Sequence, residues 1–172
     1  MLTATYSLVA MAAEQSMAHD FLARTRQAVA ALWSNLHTIE LERVHTALLG
    51  LRRFDHYCHQ RKVERFVIPA VRGSCREIDA IVSDLDCLSG AGMQVLGTAA
   101  AELGWTLEQR ASHLAQLCRV MESYCECLEK RLRREEEELL PIVRRMFSVD
   151  DWFSLAAQFL GDEKLQQGDA AR

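Results

Sequence analysis

Apolar side chains recur three and four positions apart along most of the chain, the period of one face of an α-helix. Ala18, Leu22, Val29, Leu32 and Leu36 form one stripe, Leu41, Val44, Leu48 and Leu51 a second, and Ile81, Leu85, Leu88, Val95 and Ala99 a third. A fourth runs through Leu114, Cys118, Met121, Cys125, Leu128, Leu132, Leu139, Val143 and Met146. Boundary residues separate the stripes. Gly73 closes one helix and Ser74 opens the next, with Glu77 three residues on in the arrangement of a capping box. Gly104 and Thr106 repeat that stop and start, and Ser148 to Asp151 opens a last segment carrying Trp152, Phe153, Leu155 and Phe159. The first boundary, between Ser34 and Thr38, has neither glycine nor proline. These signals predict helices over about 10–34, 38–72, 75–103 and 107–147, a short C-terminal helix over about 149–160 and a frayed tail from Lys164. Short connections make neighbouring helices antiparallel. The expected fold is therefore all-α, an up-down-up-down four-helix bundle forming one domain over the whole chain.

Composition narrows the function classes. Of the 172 residues, 49% are hydrophobic, enough to build a core and too many for a disordered chain. The formal net charge of -4 leaves no basic excess to grip phosphates, so nucleic acid is not an expected partner. No apolar run reaches about 18 residues, so no membrane span is expected. The apolar stretch from Tyr6 to Ala13 has no Lys or Arg before it, which reads as the start of a helix and not a secretion signal, and places the chain in the cytoplasm. Gly90, Gly92 and Gly97 fall inside the third helix, where they either permit close helix approach or mark a break. None of the six cysteines forms a C-x-x-C pair. They read as small buried apolar side chains, or as a thiol redox switch through Cys118, Cys125 or Cys127.

Two features interrupt the apolar pattern. Pro69 and Pro141, the only prolines, stand 72 positions apart, and HQRKVERFVIPAVR (59–72) aligns with RLRREEEELLPIVR (131–144). A proline near the end of a helix removes one hydrogen bond and bends it, so the repeat suggests an approximate twofold symmetry. Charge also enters the stripe in these stretches. On the second helix Leu51 is followed by Asp55, His59 and Val63 before Phe66, and on the fourth the step from Leu132 to Leu139 passes through Glu135 or Glu136. A buried carboxylate needs a cation, a hydrogen-bond donor or a metal.

These segments resemble the hemerythrin-like, HHE cation-binding domains, whose signature is a repeated H-x-x-x-E-E-x-x-L-x-P on the second and fourth helices. FDHYCHQRKVERFVIP (54–69) is similar to the family's second-helix motif, and EEEELLPIVRRMFSVDDW (135–152) to its fourth-helix end and tail. The resemblance covers most of the chain and implies a non-haem iron pair used for oxygen binding, sensing or iron handling. It also implies a ligand set of His59, Glu64, Glu135 and His19, to which His56, three residues from His59, adds a further donor. The chain departs from the family at Val63, where a carboxylate is expected four residues after His59, and at Arg131, which stands in a histidine position. Its third helix has no histidine around Leu85 to Cys87.

The expectation is a binding or sensing module whose metal site is incomplete, holding iron or another divalent metal. An arginine repels a metal ion instead of coordinating it. Arg131 and Glu135, four apart on one helix face, therefore offer the alternative of a metal-free bundle with a core ion pair that serves as a protein-interaction or regulatory module. His37, His45 and His113 read as surface or boundary groups. No G-x-S-x-G, glycine-rich phosphate loop or H-E-x-x-H occurs, so the chain is not expected to be an enzyme. Expected partners are a small ligand, a protein or a second copy of the chain.

Overall fold

The computed structural model describes residues 2–33, 41–101 and 110–170, with side chains described for 4–33, 42–90, 94 and 114–162. Among the described residues the chain is all-helical, with no strand. In chain order the elements are α1 (Leu2–Trp33), α2 (Leu41–Gln60), a π-helical turn π1 (Val63–Val67), α3 (Ile68–Val71), α4 (Arg76–Ala101), α5 (Arg110–Arg134), a second π-helical turn π2 (Glu135–Leu139), α6 (Leu140–Met146) and α7 (Val149–Ala170). The expected boundaries at 34–38 and 104–106 and His37 lie outside the described residues, as do the surroundings of Gly92, Gly97 and His113.

Three differences from the expected boundaries have physical causes. The first helix begins at Leu2, because Met11, Ser7 and half-buried Leu8 and Tyr6 continue its packed face toward the N-terminus. The last helix extends to Ala170 instead of fraying from Lys164. Its start is held by a reciprocal cap: Ser148 N–H and Oγ donate to Asp151 Oδ2 at 2.8 and 2.6 Å, and Asp151 N–H donates to Ser148 Oγ at 3.2 Å. Those two bonds from Ser148 hold the Asp151 carboxyl below the usual carboxylate range. At the turn before α4 it is Asp79 that reaches back, accepting from Gly73 N–H at 2.7 Å, while Gly73 takes the left-handed φ of 81° that favours glycine.

The prolines do more than bend. Each ends a π turn: the N–H of Ile68 donates to Val63 O, and that of Leu140 to Glu135 O, immediately before Pro69 and Pro141. A proline ring crowds the carbonyl four residues back and offers it no N–H, and the preceding turn widens by one residue. The two π turns begin 72 positions apart, like the prolines, so the sequence repeat is also a backbone repeat. One extra residue rotates the following face by about 100°. Both ends of each π turn point inward, Val63 with Val67 and Glu135 with Leu139, positions four apart that share a face.

Helix α1 packs on α2, α5 and α7, and α4 packs on α5. The buried apolar residues form two clusters. One joins α1, α2 and α5 through Leu22, Val29, Leu48, Phe54, Met121 and Leu128. The other joins π1, α4, π2, α6 and α7 through Val67, Leu85, Leu139, Val143 and Phe159. Phe159 of α7 lies 5.5 Å from the Phe66 ring with the Lys62 ammonium 5.5 Å over its own face, and Arg65 pairs with Asp162 at 2.5 Å. No described helix is long and apolar enough to cross a membrane.

Gly90 is helical and exposed within α4, and a Cβ there would meet nothing within 4 Å. It marks neither a break nor a close approach. Gly90→Ala should therefore stabilise the fold by about 0.5–1 kcal/mol, measured by urea unfolding; a loss of stability would show that the position has a packing constraint.

Candidate functional site

Between the two apolar clusters lies a belt of buried charge. Glu135, the first residue of π2, is 0% exposed, and Arg61 and Arg131 are 1% and 2% exposed. Arg61 stands at the break between α2 and π1, where its N–H turns back to Cys58 O at 3.3 Å and its carbonyl accepts from Arg65 N–H at 3.0 Å. That irregular turn directs its side chain inward. Its guanidinium grips Glu135 in a two-pronged pair, Nη1 to Oε2 at 2.8 Å and Nη2 to Oε1 at 2.9 Å. Arg131, one helical turn before Glu135, adds Nε to Oε1 at 3.0 Å. Gln15 of α1 completes the set with Nε2 to Oε2 at 3.2 Å, while its own Oε1 accepts from Arg61 Nη1. Arg131 also donates to Glu64 Oε1 and, at 2.9 Å, to the carbonyl of Leu85 on α4.

Two carboxylates and two guanidiniums thus make a neutral set that ties α1, α2, π1, α4, α5 and π2 together. Burial opposes the charge on Arg61, but Glu135 outweighs it through its own charge and hydrogen bonds, and the Arg61 pKa stands above its ordinary value. Buried ion pairs of this kind add little stability over an apolar packing, yet removing one member leaves a charge stranded at a cost of about 3–5 kcal/mol.

The sequence candidates separate in space. Glu64 and Glu135 converge on the centre, and Arg131 and Glu135 pair within it. His59 faces solvent with its side chain 48% exposed, its Nε2 lying 3.7 Å from Asp55 Oδ2. His56 is exposed on the same helix. His19 lies at the rim, its Nε2 2.9 Å from Glu136 Oε1, beside a groove lined by Met11, Gln15, Leu140 and Arg144. Asp55 is buried and accepts from Tyr124 Oη, and that bond follows burial in holding the Tyr124 hydroxyl well above its ordinary pKa.

An iron pair does not fit these residues. A carboxylate has about four acceptor positions, and all four of Glu135 receive N–H groups from Arg61, Arg131 and Gln15. Glu64 lies against Arg131 and 3.9 Å from Arg61. Among the described residues, no three His, Cys, Asp or Glu side chains converge in a way that would hold a metal ion.

Sequence reading overlooked Arg61 and Gln15. The signal for Arg61 is the run Leu51, Asp55, Cys58, Arg61, whose steps of four and three stay on one helix face. Gln15 offers no comparable signal, since a single amide on α1 is indistinguishable from a surface glutamine.

The cysteines fall into two groups. Cys58, Cys118 and Cys125 are buried, and burial pushes each thiol up to about 11. Cys118 and Cys125 share a face of α5 but are separated by about 10 Å of helix rise, beyond the ~7 Å reach of a disulfide. Cys127 is half-buried and Cys87 exposed.

No protein-family model matches the chain, and neither a curated protein nor a solved structure matches it.

Replacing Glu135 by Leu should destabilise the protein by about 3–5 kcal/mol, because two guanidiniums lose their main partner, whereas His59→Ala should stay within about 0.5 kcal/mol. Urea unfolding of both variants checks this contrast, and equal losses would refute it. For the thiols, alkylation at neutral pH followed by mass mapping should modify Cys87 before Cys58, Cys118 or Cys125. Because the folded state keeps these three thiols protonated, their contribution to stability is complete below pH 9 and lost as pH rises through about 11. Replacing the three by Ala should flatten that alkaline decline.

Proposed function

We propose that the chain is a hemerythrin-like, up-down-up-down four-helix bundle in which an internal arginine–glutamate centre replaces the metal centre, and that it works as a metal-independent interaction or regulatory module. The observation that carries this reading is the saturation of Glu135: four N–H groups from three residues occupy its oxygens. The packing order supports the bundle. Helix α1 lies against α2 and α5, and α4 against α5, as expected when successive long helices run antiparallel around one core. The matching π turns before Pro69 and Pro141 support an approximate twofold relation between the two halves.

Two further observations favour interaction over catalysis. The buried thiols are held protonated, which removes their nucleophilic form. On α7, Val149, Phe153 and Leu160 are exposed and share one face, separated by four and seven positions and turned by about 100° from the face that buries Trp152, Leu155 and Phe159. An apolar stripe beside the buried face supplies contact surface outside the helix's own core. All six cysteines are unpaired, which suits a reducing compartment such as the cytoplasm.

Metal independence is tested by purifying the protein without chelators and measuring its metal content and thermal unfolding. The expected result is less than about a tenth of an equivalent of iron, manganese or zinc, with a melting temperature unchanged by EDTA or added divalent metal, since a ligand that binds only the folded state must raise it. Stoichiometric metal, or a rise of several degrees on adding it, would overturn the reading.

A further inference from the structure

Away from the buried centre, an open groove of about 810 Å³ runs between α1 and α2. Its floor is apolar, formed by Phe21, Ala28 and Leu32 on α1 and Ala47, Leu49 and Gly50 on α2. Small residues on both helices leave the space: a Cβ on Gly50 would meet nothing within 4 Å, and Leu49 beside it is 38% exposed. The two threonine hydroxyls of the groove are used within their own helices, Thr25 Oγ1 donating to Phe21 O at 2.9 Å and Thr46 Oγ1 to Glu42 O at 2.8 Å. They have no proton left to give a polar ligand.

The walls are cationic. Arg24 stands on α1, Arg43 and Arg53 stand on α2, and Glu42 is the one carboxylate among the lining residues, although the chain as a whole carries -4. Neither Arg24 nor Arg53 makes an ion pair among the described residues; Arg24 donates from Nε to the Asp20 carbonyl of its own helix at 3.2 Å. The stack of Phe21 on Phe54, 5.2 Å between centroids, sets the register of the two helices. Arg24 and Arg53 lie within one turn of that stack, and Arg43 lies ten residues from Arg53, about 15 Å along α2. One carboxylate or phosphate cannot meet both ends. A ligand that answers the whole rim carries acidic groups along its length, with apolar surface between them. Phe21 to Leu32 spans about 16 Å, or three helical turns, and 810 Å³ over that length gives a cross-section of about 50 Å², close to half that of an α-helix with its side chains.

We infer that the groove between α1 and α2 is a docking site for an amphipathic helix of a partner protein, whose apolar stripe lies on the floor and whose acidic flanks meet the arginines on both walls. The inference rests on the interaction-module reading above and names what that reading leaves open, the surface used and the chemistry of the partner.

The test is fluorescence anisotropy with a labelled synthetic helix of about 15 residues, its leucines three and four positions apart and its glutamates on both sides of that stripe. The native chain should bind it saturably, one to one, with affinity falling at least about tenfold as salt rises from about 0.05 to about 0.5 M. A version with lysine for every glutamate should not bind. Gly50→Leu puts a side chain into the open groove and should weaken binding at least about tenfold while melting no lower than the native chain, since leucine is the better helix former. Arg24→Glu/Arg53→Glu should weaken it as much, and tests the rim independently of the floor. Absence of saturable binding up to about 1 mM peptide, equal binding of the lysine version, or binding unchanged in both variants overturns the inference. Binding that survives both variants but is lost in Phe153→Ser, on the exposed face of α7, overturns the groove and leaves the interaction reading standing. Stoichiometric metal in the native chain would instead overturn the metal-independent reading, whatever the peptide does.

Discussion

A carboxylate sealed from water must be neutralised by something within reach, and around Glu135 that requirement organises much of the molecule. Its partners arrive from opposite ends of the sequence: Gln15 from the first helix, Arg61 from the break after the second, and Arg131 from the turn before it. Arg131 in turn reaches Glu64 and the carbonyl of Leu85, so the third long helix joins the same network. Apolar contacts could slide by a turn at modest cost, but hydrogen bonds to a buried charge tolerate no such slip. The centre therefore acts as a register mark where the two apolar clusters meet. One cluster draws on the helices leading up to Arg61 and Arg131, the other mainly on the segments C-terminal to those arginines.

The regular part of α5 already carries charge inward: Glu135 lies seven positions after Leu128 and three after Leu132, on the same face. The turn that begins at Glu135 widens, and the chain beyond it returns Leu139, Leu140 and Val143 to the core. The equivalent turn over Val63–Val67 does the same with valine at both ends. The halves share a backbone device and differ in what they place on it, a carboxylate in one and a hydrocarbon in the other. Each half nevertheless contributes one arginine and one glutamate, Arg61 with Glu64 and Arg131 with Glu135, from positions that are not equivalent in the 72-residue repeat.

Helix content was legible from the apolar periods, and the 72-residue repeat from the two prolines. The π turns were not, because a proline in the last turns of a helix is compatible with a bend, a kink or a widened turn, and only packing on both sides selects among them. In the site, the spacing of Arg131 and Glu135 announced a pair that the structure brings together at 3.0 Å. The histidines lie outside this centre, His56 and His59 exposed on α2 and His19 at the rim. His59 sits at the edge of the α2 face that buries Leu51, Asp55 and Cys58 and turns to solvent, while the tightened turn from Cys58 O to Arg61 N–H aims the arginine inward. The run from Leu51 through Asp55 and Cys58 leads to Arg61 on the same helix face.

On the proposed reading, arginine in place of a metal changes what such a centre can do. A metal ion exchanges ligands, binds small molecules in open positions and can be removed, so a protein built around one can respond to its supply. A guanidinium is fixed to the backbone, stays charged at any physiological pH and has no open position once its N–H groups are taken. Arg61 uses its groups on Glu135, Gln15 and Cys58 O, and Arg131 uses its own on Glu135, Glu64 and Leu85 O. On the proposed metal-independent reading the centre is a fixed brace between the two apolar clusters. Any responsiveness would then come from the periphery, from the His19–Glu136 contact at the rim or the exposed apolar face of α7.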